Sequence, residues 1–357
     1  MSGNTTGSIF RVTTWGESHG KALGAVVDGC PAGIPLNEAD IQQALDRRKP
    51  STAVSSTTRK ESDRVEILSG VFEGKTAGTP ISLMINNTDA KSSSYAELKD
   101  VFRPGQGDFT YFQKYGIRDW RGGGRASGRE TAARVAAGAI AAKIIATENI
   151  DVIAFTRSIG GIDIDRERLA AHKNLRKAVR ENPLFCPDAE AAEKMEKKLD
   201  AVRKKGDSLG GVVEIIVYGC PAGLGEPVFD KMDADLAKAL MSIGSVKAVE
   251  VGEGIAAAGL QGSQSNDQMT EKGFKTNYAG GILAGITNGE QIVLRAYCKP
   301  IPSIARPQQT VDVRGAGRIV EIKGRHDICV LPRIVPVCEA MVTLVLADHL
   351  LRQKAIS

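Results

Sequence analysis

The chain has 357 residues, of which 42% are hydrophobic and 25% are charged, so it can bury a core and is not disordered throughout. Its formal net charge of +5 is a mild basic excess that permits anionic ligands without requiring nucleic acid. Six cysteines without a Cys-x-x-Cys pair favour free thiols in a reducing compartment. The polar start has no signal-peptide pattern, and the longest apolar run, 334–347, is too short to span a bilayer. We therefore expect a soluble, cytoplasmic protein that does not enter a membrane.

Strands and helices are predicted along the whole chain. Asn37 is placed to cap a first helix, and Ser127 and Glu130 have capping-box spacing ahead of an alanine-rich helix that ends near Thr147. A last helix is predicted over 337–354. Strands are predicted where Val, Ile and Leu are frequent between turn residues: 8–14, 22–28, 64–71, 80–85, 211–218 and 291–297.

One internal repeat bears on the architecture. The sequence of 26–33 recurs at 216–223, and each copy ends a predicted strand and precedes a helix with the same pattern of Ala, Asp and Leu. This repeat suggests two halves related by pseudo-symmetry around one core. The segment 165–207 is dense in Lys, Arg and Glu and predicts a charged helical insertion between the halves. Without a flexible linker elsewhere, we expect residues 1–357 to form a single domain.

The strongest local signal for a ligand site is 118–131, which contains three consecutive glycines. Glycine lets backbone approach a ligand closely, and a helix beginning at Ser127 would direct free N–H groups at an anion. A flexible loop before an ordinary helix is the alternative interpretation. Four arginines supply forked donors suited to phosphate or carboxylate: Arg121, Arg125, Arg129 and Arg134.

Two turns carry histidine. His19 lies among small residues in 14–20 and is expected to be accessible and to titrate near neutral pH. The second turn, 323–327, places a guanidinium, an imidazole and the carboxyl group of Asp327 together. A surface histidine and a surface salt-bridge cluster are the alternatives. His172 and His349 lie on predicted helices and are interpreted as structural, and no metal site is predicted.

Together these motifs resemble the chorismate synthase family over essentially the whole chain. The resemblance rests on 10–20, on 121–136 and on 324–333. It implies an α+β fold, a β-α-β sandwich whose two pseudo-symmetric halves enclose helices, and a homotetramer. It also implies a lyase of the shikimate pathway to aromatic amino acids. That lyase converts 5-enolpyruvylshikimate 3-phosphate to chorismate and phosphate by an anti-1,4-elimination, with reduced FMN and without net oxidation.

The resemblance also assigns roles to residues. His19 would be the acid that assists phosphate departure, and Asp327 the base that acts through flavin N5. Gln106 stands where the family has a catalytic histidine. Substrate would be held by Arg48, Arg129, Arg134 and Ser127. FMN would be held by Arg125, Ala126, Ser127, Gly244, Ser245, Ala284, Lys299, Pro300, Ile301, Pro302, Ser303 and Arg325.

Several positions depart from the family pattern. Because glutamine replaces histidine at Gln106, we expect a slower chemical step. Val54 stands where many members have arginine, and Ile328 follows Asp327 where proline is usual. Gly244 with Ser245 and, separately, Ala284 replace other frequent residues.

Although NADP is associated with the family, the chain has no dinucleotide fingerprint, so we expect an external flavin reductase to supply FMNH2. The alternatives are a folded but slow chorismate synthase, an RNA-binding protein and a structural assembly protein. The RNA-binding alternative rests on a single Arg-Gly-Gly triplet and the basic charge, and no RNA stacking motif supports it.

Overall fold

The computed structural model describes residues 3–49, 63–88, 97–171, 174–322 and 326–356. Two five-stranded antiparallel sheets dominate these residues. The first has the strand order β1-β2-β3-β7-β4, with β1 Thr5–Thr6, β2 Arg11–Gly16, β3 Ala22–Asp28, β4 Val65–Ile67 and β7 Ile81–Asn86. The second has the order β11-β16-β10-β8-β9, with β8 Asp151–Ile159, β9 Ile162–Asp163, β10 Gly211–Tyr218, β11 Val246–Val251 and β16 Ile292–Cys298.

Short hairpins complete the strands. They are β5 Val71–Phe72 with β6 Lys75–Thr76, β12 Met269–Thr270 with β13 Gly273–Phe274, β14 Ile282–Leu283 with β15 Ile286–Thr287, and β17 Gln308–Val311 with β18 Gly317–Val320. The helices are α1 Glu38–Arg48, α2 Asp108–Tyr115, α3 Thr131–Ala146, α4 Arg166–Ala171, α5 Leu175–Arg180, α6 Ala189–Lys204, α7 Met232–Met241, α8 Gly262–Ser265 and α9 Leu331–Ile356.

Helices α3 and α9 lie between the sheets. Helix α3 packs on β2, β3 and β7, α9 packs on β8 and β10, and the two helices pack on each other. Their contact is close at Gly138, where an added Cβ would lie 2.5 Å from Cβ of Ala340. One apolar cluster runs through both sheets and both helices. The predicted α+β sandwich enclosing helices is therefore confirmed, while the division into domains stays a prediction.

The predicted pseudo-symmetry is present in the topology. The order β2-β3-β7-β4 of the first sheet is repeated as β8-β10-β16-β11 in the second. The hydroxyl of Thr76 donates to the carbonyl of Pro31 at 2.6 Å, and Thr287 donates to Pro221 at the same distance. These threonines belong to a second repeat, 70–78 with 281–289, which escaped the sequence analysis.

Some strand boundaries differ from the predictions. The expected strand 64–71 breaks between β4 and β5, because Gly70 has φ +81° and turns against the carbonyl oxygen of Pro80. Strands β8 and β11 were not predicted. Eight of the nine residues of β8 are at least partly buried, seven of them fully, so the strand shows no apolar-polar alternation.

The predicted start of α3 at Ser127 is wrong. The helix begins at Thr131, and a 3-10 turn, Gly128–Glu130, precedes it. Ser127 accepts a hydrogen bond from the backbone N–H of Arg129 at 3.3 Å. Glu130 instead forms an ion pair with Arg134 at 2.7 Å, so the capping box does not form. The anion site predicted for this segment stays a prediction. Helix α1 does carry its predicted cap at Asn37, whose side chain accepts from the N–H of Asp40 at 3.2 Å.

Helix α9 begins six residues before its predicted start. Pro332 is its second residue, where a helix does not need an N–H donor. At 26 residues α9 is long and apolar enough to cross a membrane by length and composition, contrary to the expectation for this segment. However, 89% of its apolar window is buried inside the fold, as in the core helix of a sandwich.

The charged segment 165–207 contains α4, α5 and α6, while its status as an insertion stays a prediction. It is not wholly solvated, since Met195 and Leu199 of α6 are fully buried. His349 is also buried, with Nε2 2.9 Å from the carboxylate of Asp235, which agrees with a structural role, whereas His172 lies outside the described residues. All six cysteines are free thiols and buried, and burial raises the pKa of Cys30 to about 11.

Candidate functional site

His19 lies in the five-residue connection between β2 and β3, residues 17–21. It is only 8% exposed, so the expectation of an accessible histidine is wrong. The reason is Gly122, where an added Cβ would lie 2.4 Å from Cδ2 of the His19 ring. Gly122 has φ +68°, which favours glycine. The glycine-rich segment therefore closes over His19.

A second residue fixes the same connection. Asn87, directly after β7, donates through Nδ2 to the carbonyl oxygens of Glu17 at 3.0 Å and Gly20 at 2.8 Å. These two carbonyls stand on either side of His19 in the chain. The Oδ1 atom of Asn87 accepts from Nε of Arg129 at 3.0 Å. One amide thus joins the connection that carries His19 to Arg129, a predicted substrate-binding arginine.

Asp63 joins two of the predicted substrate-binding arginines. Its side chain is fully buried and accepts from Nη1 of Arg129 and from Nη1 of Arg48, the latter at 3.1 Å. Arg48 also donates to the hydroxyl of Thr131 at 3.0 Å and to the carbonyl of Gly128 at 2.7 Å. Two buried guanidinium groups share this carboxylate, and guanidinium groups are suited to binding phosphate or carboxylate. The sequence analysis missed Asp63, which adjoins no recognised motif.

The other predicted arginines have separate surroundings. Arg134 pairs with Glu130 and donates to the hydroxyl of Ser242 at 2.6 Å, which ties α3 to the end of α7. Arg125 donates to the hydroxyl of Thr14 at 2.7 Å and to the carbonyl of Gly16 at 3.0 Å. Its guanidinium therefore anchors the glycine-rich segment to β2.

A second cluster forms where the turn 103–107 meets 299–303. Nε2 of Gln106 donates to the hydroxyl of Ser303 at 2.9 Å, and Nζ of Lys299 donates to the carbonyl of Gly105 at 2.8 Å. An added Cβ at Gly107 would lie 3.3 Å from Cβ of Ala126. The structure thus brings several predicted cofactor-binding residues together with Gln106.

An ion pair holds this turn in place. Arg103 makes two 2.8 Å hydrogen bonds to the carboxylate of Asp108, and Nη1 of Arg118 lies 3.3 Å from it. Burial acts to raise the pKa of Asp108, but the hydrogen bonds and charge of Arg103 outweigh it and the pKa is lowered. The carboxylate stays charged and keeps the turn closed.

Asp327 is connected to this second cluster through hydrogen bonds made by neighbouring residues. Its carboxylate accepts from Nη1 of Arg333 at 3.1 Å. The next residue, Ile328, accepts from the N–H of Leu209, and the neighbouring Ser208 donates to the carbonyl of Ile301 at 2.7 Å. Asp327 is therefore joined to 299–303 through 208–209.

Some of the remaining predicted cofactor-binding residues adjoin the second cluster and others do not. Ser245 accepts from the N–H of Lys299 at 2.9 Å, so it and Gly244 adjoin the second cluster. Ala284 does not: Gly285 beside it accepts from the N–H of Met232 at the start of α7. Gly244 follows the other end of this ten-residue helix, about 15 Å away. Arg325 and Val54 lie outside the described residues.

A two-sheet α+β sandwich with buried arginines, a buried histidine and a glycine-rich segment defines the class of protein. The chorismate synthase family model matches residues 10–351. The chain is 63% identical to a chorismate synthase of Syntrophus aciditrophicus (strain SB) over 357 residues, covering 100% of both chains. It is 59% identical to a chorismate synthase of Desulfosudis oleivorans, covering 100% of this chain and 99% of the relative.

A solved crystal structure of a chorismate synthase matches with a TM-score of 0.78 at 35% identity, covering 98% of this chain and 93% of that one. The chain therefore belongs to the chorismate synthase family. The activity that this membership supports is that of a chorismate synthase, a lyase of the shikimate pathway that acts on a small molecule.

Proposed function

We propose that the protein catalyses the anti-1,4-elimination of phosphate from 5-enolpyruvylshikimate 3-phosphate to give chorismate. The observation that carries this proposal is the buried Arg48–Asp63–Arg129 cluster, which Asn87 joins to the connection that carries His19. A substrate with one phosphate and two carboxylates needs several guanidinium groups in a shielded place. In the balanced reaction a carbon–oxygen bond breaks, phosphate leaves with the electron pair, and a ring proton is lost.

His19 is proposed as the acid that assists the departing phosphate. Its buried ring is fixed by Gly122, and a positioned acid lowers the barrier at the oxygen where charge develops. Arg48, Arg129, Arg134 and Ser127 are proposed to hold substrate anions. Arg48 acts mainly by orienting its neighbours, because its side chain is only 2% exposed.

The second cluster suits reduced FMN. Around the turn 103–107 it brings together the polar groups of Lys299, Gln106 and Ser303, which are suited to hydrogen bonds with the ring and phosphate of a flavin. An added Cβ at Gly244 would meet no atom within 4 Å, which leaves open space beside this cluster. When bound, reduced FMN would supply electron density transiently, without net oxidation. Asp327 is proposed as the base, with its carboxylate oriented by Arg333.

The residues proposed to bind FMN form a central set and a surrounding set. Lys299, Pro300, Ile301, Pro302 and Ser303 form the central set, with Ala126, Ser127, Gly244 and Ser245 around it. Arg125 acts by anchoring the glycine-rich segment to β2. Arg325 and Ala284 remain proposed FMN contacts on the resemblance alone. We further propose a cytoplasmic homotetramer that receives FMNH2 from an external flavin reductase and does not oxidise NADPH itself.

The test is an anaerobic assay with chemically reduced FMN and the phosphorylated substrate. Phosphate and chorismate should appear together and in equal amounts, and the FMN should remain reduced at the end. Omission of FMN should abolish product. Absence of phosphate release with intact folding and bound flavin would refute the proposal. Steady NADPH consumption by the pure protein with FMN would refute the need for an external reductase.

A further inference from the structure

Asn87 follows β7 and has no catalytic or binding role in the proposed function. Each polar atom of its side chain has a partner: Nδ2 donates to the carbonyls of Glu17 and Gly20, and Oδ1 accepts from Nε of Arg129. Its backbone N–H donates to the carbonyl of Lys21 at 3.1 Å. Asparagine suits this place, because an aspartate cannot donate and an aliphatic residue can neither donate nor accept.

The side chain of Asn87 contacts two separate parts of the site: the connection 17–21 and the guanidinium of Arg129. The carbonyls of Glu17 and Gly20 bracket His19, so two hydrogen bonds to one amide set the path of the backbone that carries the imidazole. On the opposite side, Arg129 is held at two of its nitrogens, Nε by Asn87 and Nη1 by Asp63. A planar guanidinium fixed at two nitrogens keeps one orientation.

We propose that Asn87 is a positioning residue that fixes the His19 ring relative to the Arg129 guanidinium. The inference rests on the proposed roles of His19 as acid and of Arg129 as a substrate-binding group. Because the connection that carries His19 and the guanidinium of Arg129 are both held by the Asn87 amide, the position of the proposed acid relative to an anion bound at Arg129 is fixed. Catalytic groups must be held to within about 0.5 Å, and a 1 Å displacement costs about 10²-fold in rate.

The first variant is Asn87→Asp. It keeps the size and the acceptor for Arg129 but replaces two donors by an oxygen that repels the carbonyls of Glu17 and Gly20. We expect kcat to fall about 10- to 100-fold while substrate affinity changes less than about threefold. The matched control is Asn86→Ala, at the neighbouring exposed position, where the amide donates to Glu66 at 3.0 Å. This control should leave kcat and affinity unchanged.

A spectroscopic readout separates positioning from general loss of structure. The chain has four histidines, so the imidazole ¹⁵N signals can be assigned individually by NMR. Asn87→Asp should shift the His19 signal and leave that of His349, in the core, unchanged. Should Asn87→Asp fail to fold, Asn87→Ser serves in all the measurements, because it removes the contacts with Glu17, Gly20 and Arg129 without adding a charge.

A double-mutant cycle completes the test. If Asn87 acts through His19, Asn87→Asp should reduce kcat little further in a His19→Ala background, because coupled residues are non-additive. Full additivity, or an unchanged His19 signal with wild-type kcat, overturns the positioning role. If His19→Ala itself leaves turnover intact, the acid role fails, and the His19 signal still decides whether Asn87 positions the ring.

Discussion

The two halves of the molecule share a topology but differ in what their connections carry. In the first half β2 and β3 are joined by only 17–21, which contain His19. In the second half the corresponding strands β8 and β10 are joined by 160–210, which contain β9 and the charged helices α4 to α6. The repeated strands build the fold in both halves. The candidate catalytic residue His19 lies in a connection that differs between the halves.

Both halves nevertheless contribute to the candidate site from similar places. Asn87 follows β7, and Lys299 follows β16, the strand that corresponds to β7 in the second sheet. Each strand pairs with the strand that carries the repeated turn. The two halves therefore present the ends of equivalent strands, with different side chains, to the two clusters.

The comparison predicts that the short connection of the first half carries the chemistry. His19→Ala should lower turnover by about 10²–10⁴-fold with a much smaller change in KM, since a general acid acts in the transition state. Anaerobic steady-state kinetics measure this effect. The control is Lys21→Ala in the same connection, whose side chain is exposed. A raised KM with intact turnover would make His19 a binding residue.

Gly122 tests whether the glycine-rich segment serves the histidine. Gly122→Ala should lower turnover about 10²-fold, because its Cβ would displace a ring 2.4 Å away. Gly259→Ala, in a connection of the second half, would meet no atom within 4 Å and should be neutral. Kinetics with thermal unfolding measure both variants. Wild-type turnover in Gly122→Ala would show that the ring tolerates displacement.

Gln106 tests whether a residue of the second cluster limits turnover. Gln106→His should raise turnover by up to about 10²-fold with little change in FMN or substrate affinity, because imidazole can carry a proton near neutral pH and an amide cannot. An imidazole nitrogen can also keep the hydrogen bond to Ser303. The rate of chorismate formation measures the gain. Flat or lower turnover would indicate a flavin site rearranged together with Ile328 or Gly244.

Lys299 tests the contribution of the second half to cofactor binding. Lys299→Ala should weaken FMN binding by about 1–3 kcal/mol, the usual contribution of a charge-assisted hydrogen bond. Its loss also releases the carbonyl of Gly105. Flavin titration followed by fluorescence gives the affinity, with the exposed residue Lys247 of β11 replaced by alanine as control. Unchanged affinity would remove Lys299 from the site.

The smallest effect tests the symmetry itself. Thr76→Val and Thr287→Val each remove one hydroxyl that donates to a proline carbonyl at 2.6 Å and accepts from a backbone N–H. Each should lower the free energy of unfolding by about 1–2 kcal/mol, and the double variant should lose the sum. Urea unfolding measures this. Clearly unequal losses would mean that the matching contacts are not energetically equivalent.

Sequence patterns alone gave the repeat and many of the regular elements. Strands β3 and β10 have their predicted bounds, and the cap at Asn37 forms, because these features depend on neighbouring residues and local backbone preferences. The motif order also identified the family, which the comparisons confirm. Strand β8 was not predicted, because burial on both faces removes the apolar-polar alternation by which a strand is recognised in sequence.

The arrangement of the site was decided only by tertiary structure. The burial of His19 depends on Gly122, about a hundred residues away in the chain, and the pairing of Arg48 with Arg129 depends on Asp63. The side chain of Asn87 bridges two segments that no local pattern connects. Local sequence fixes propensity and periodicity, whereas such long-range contacts form only when both sheets pack on α3 and α9.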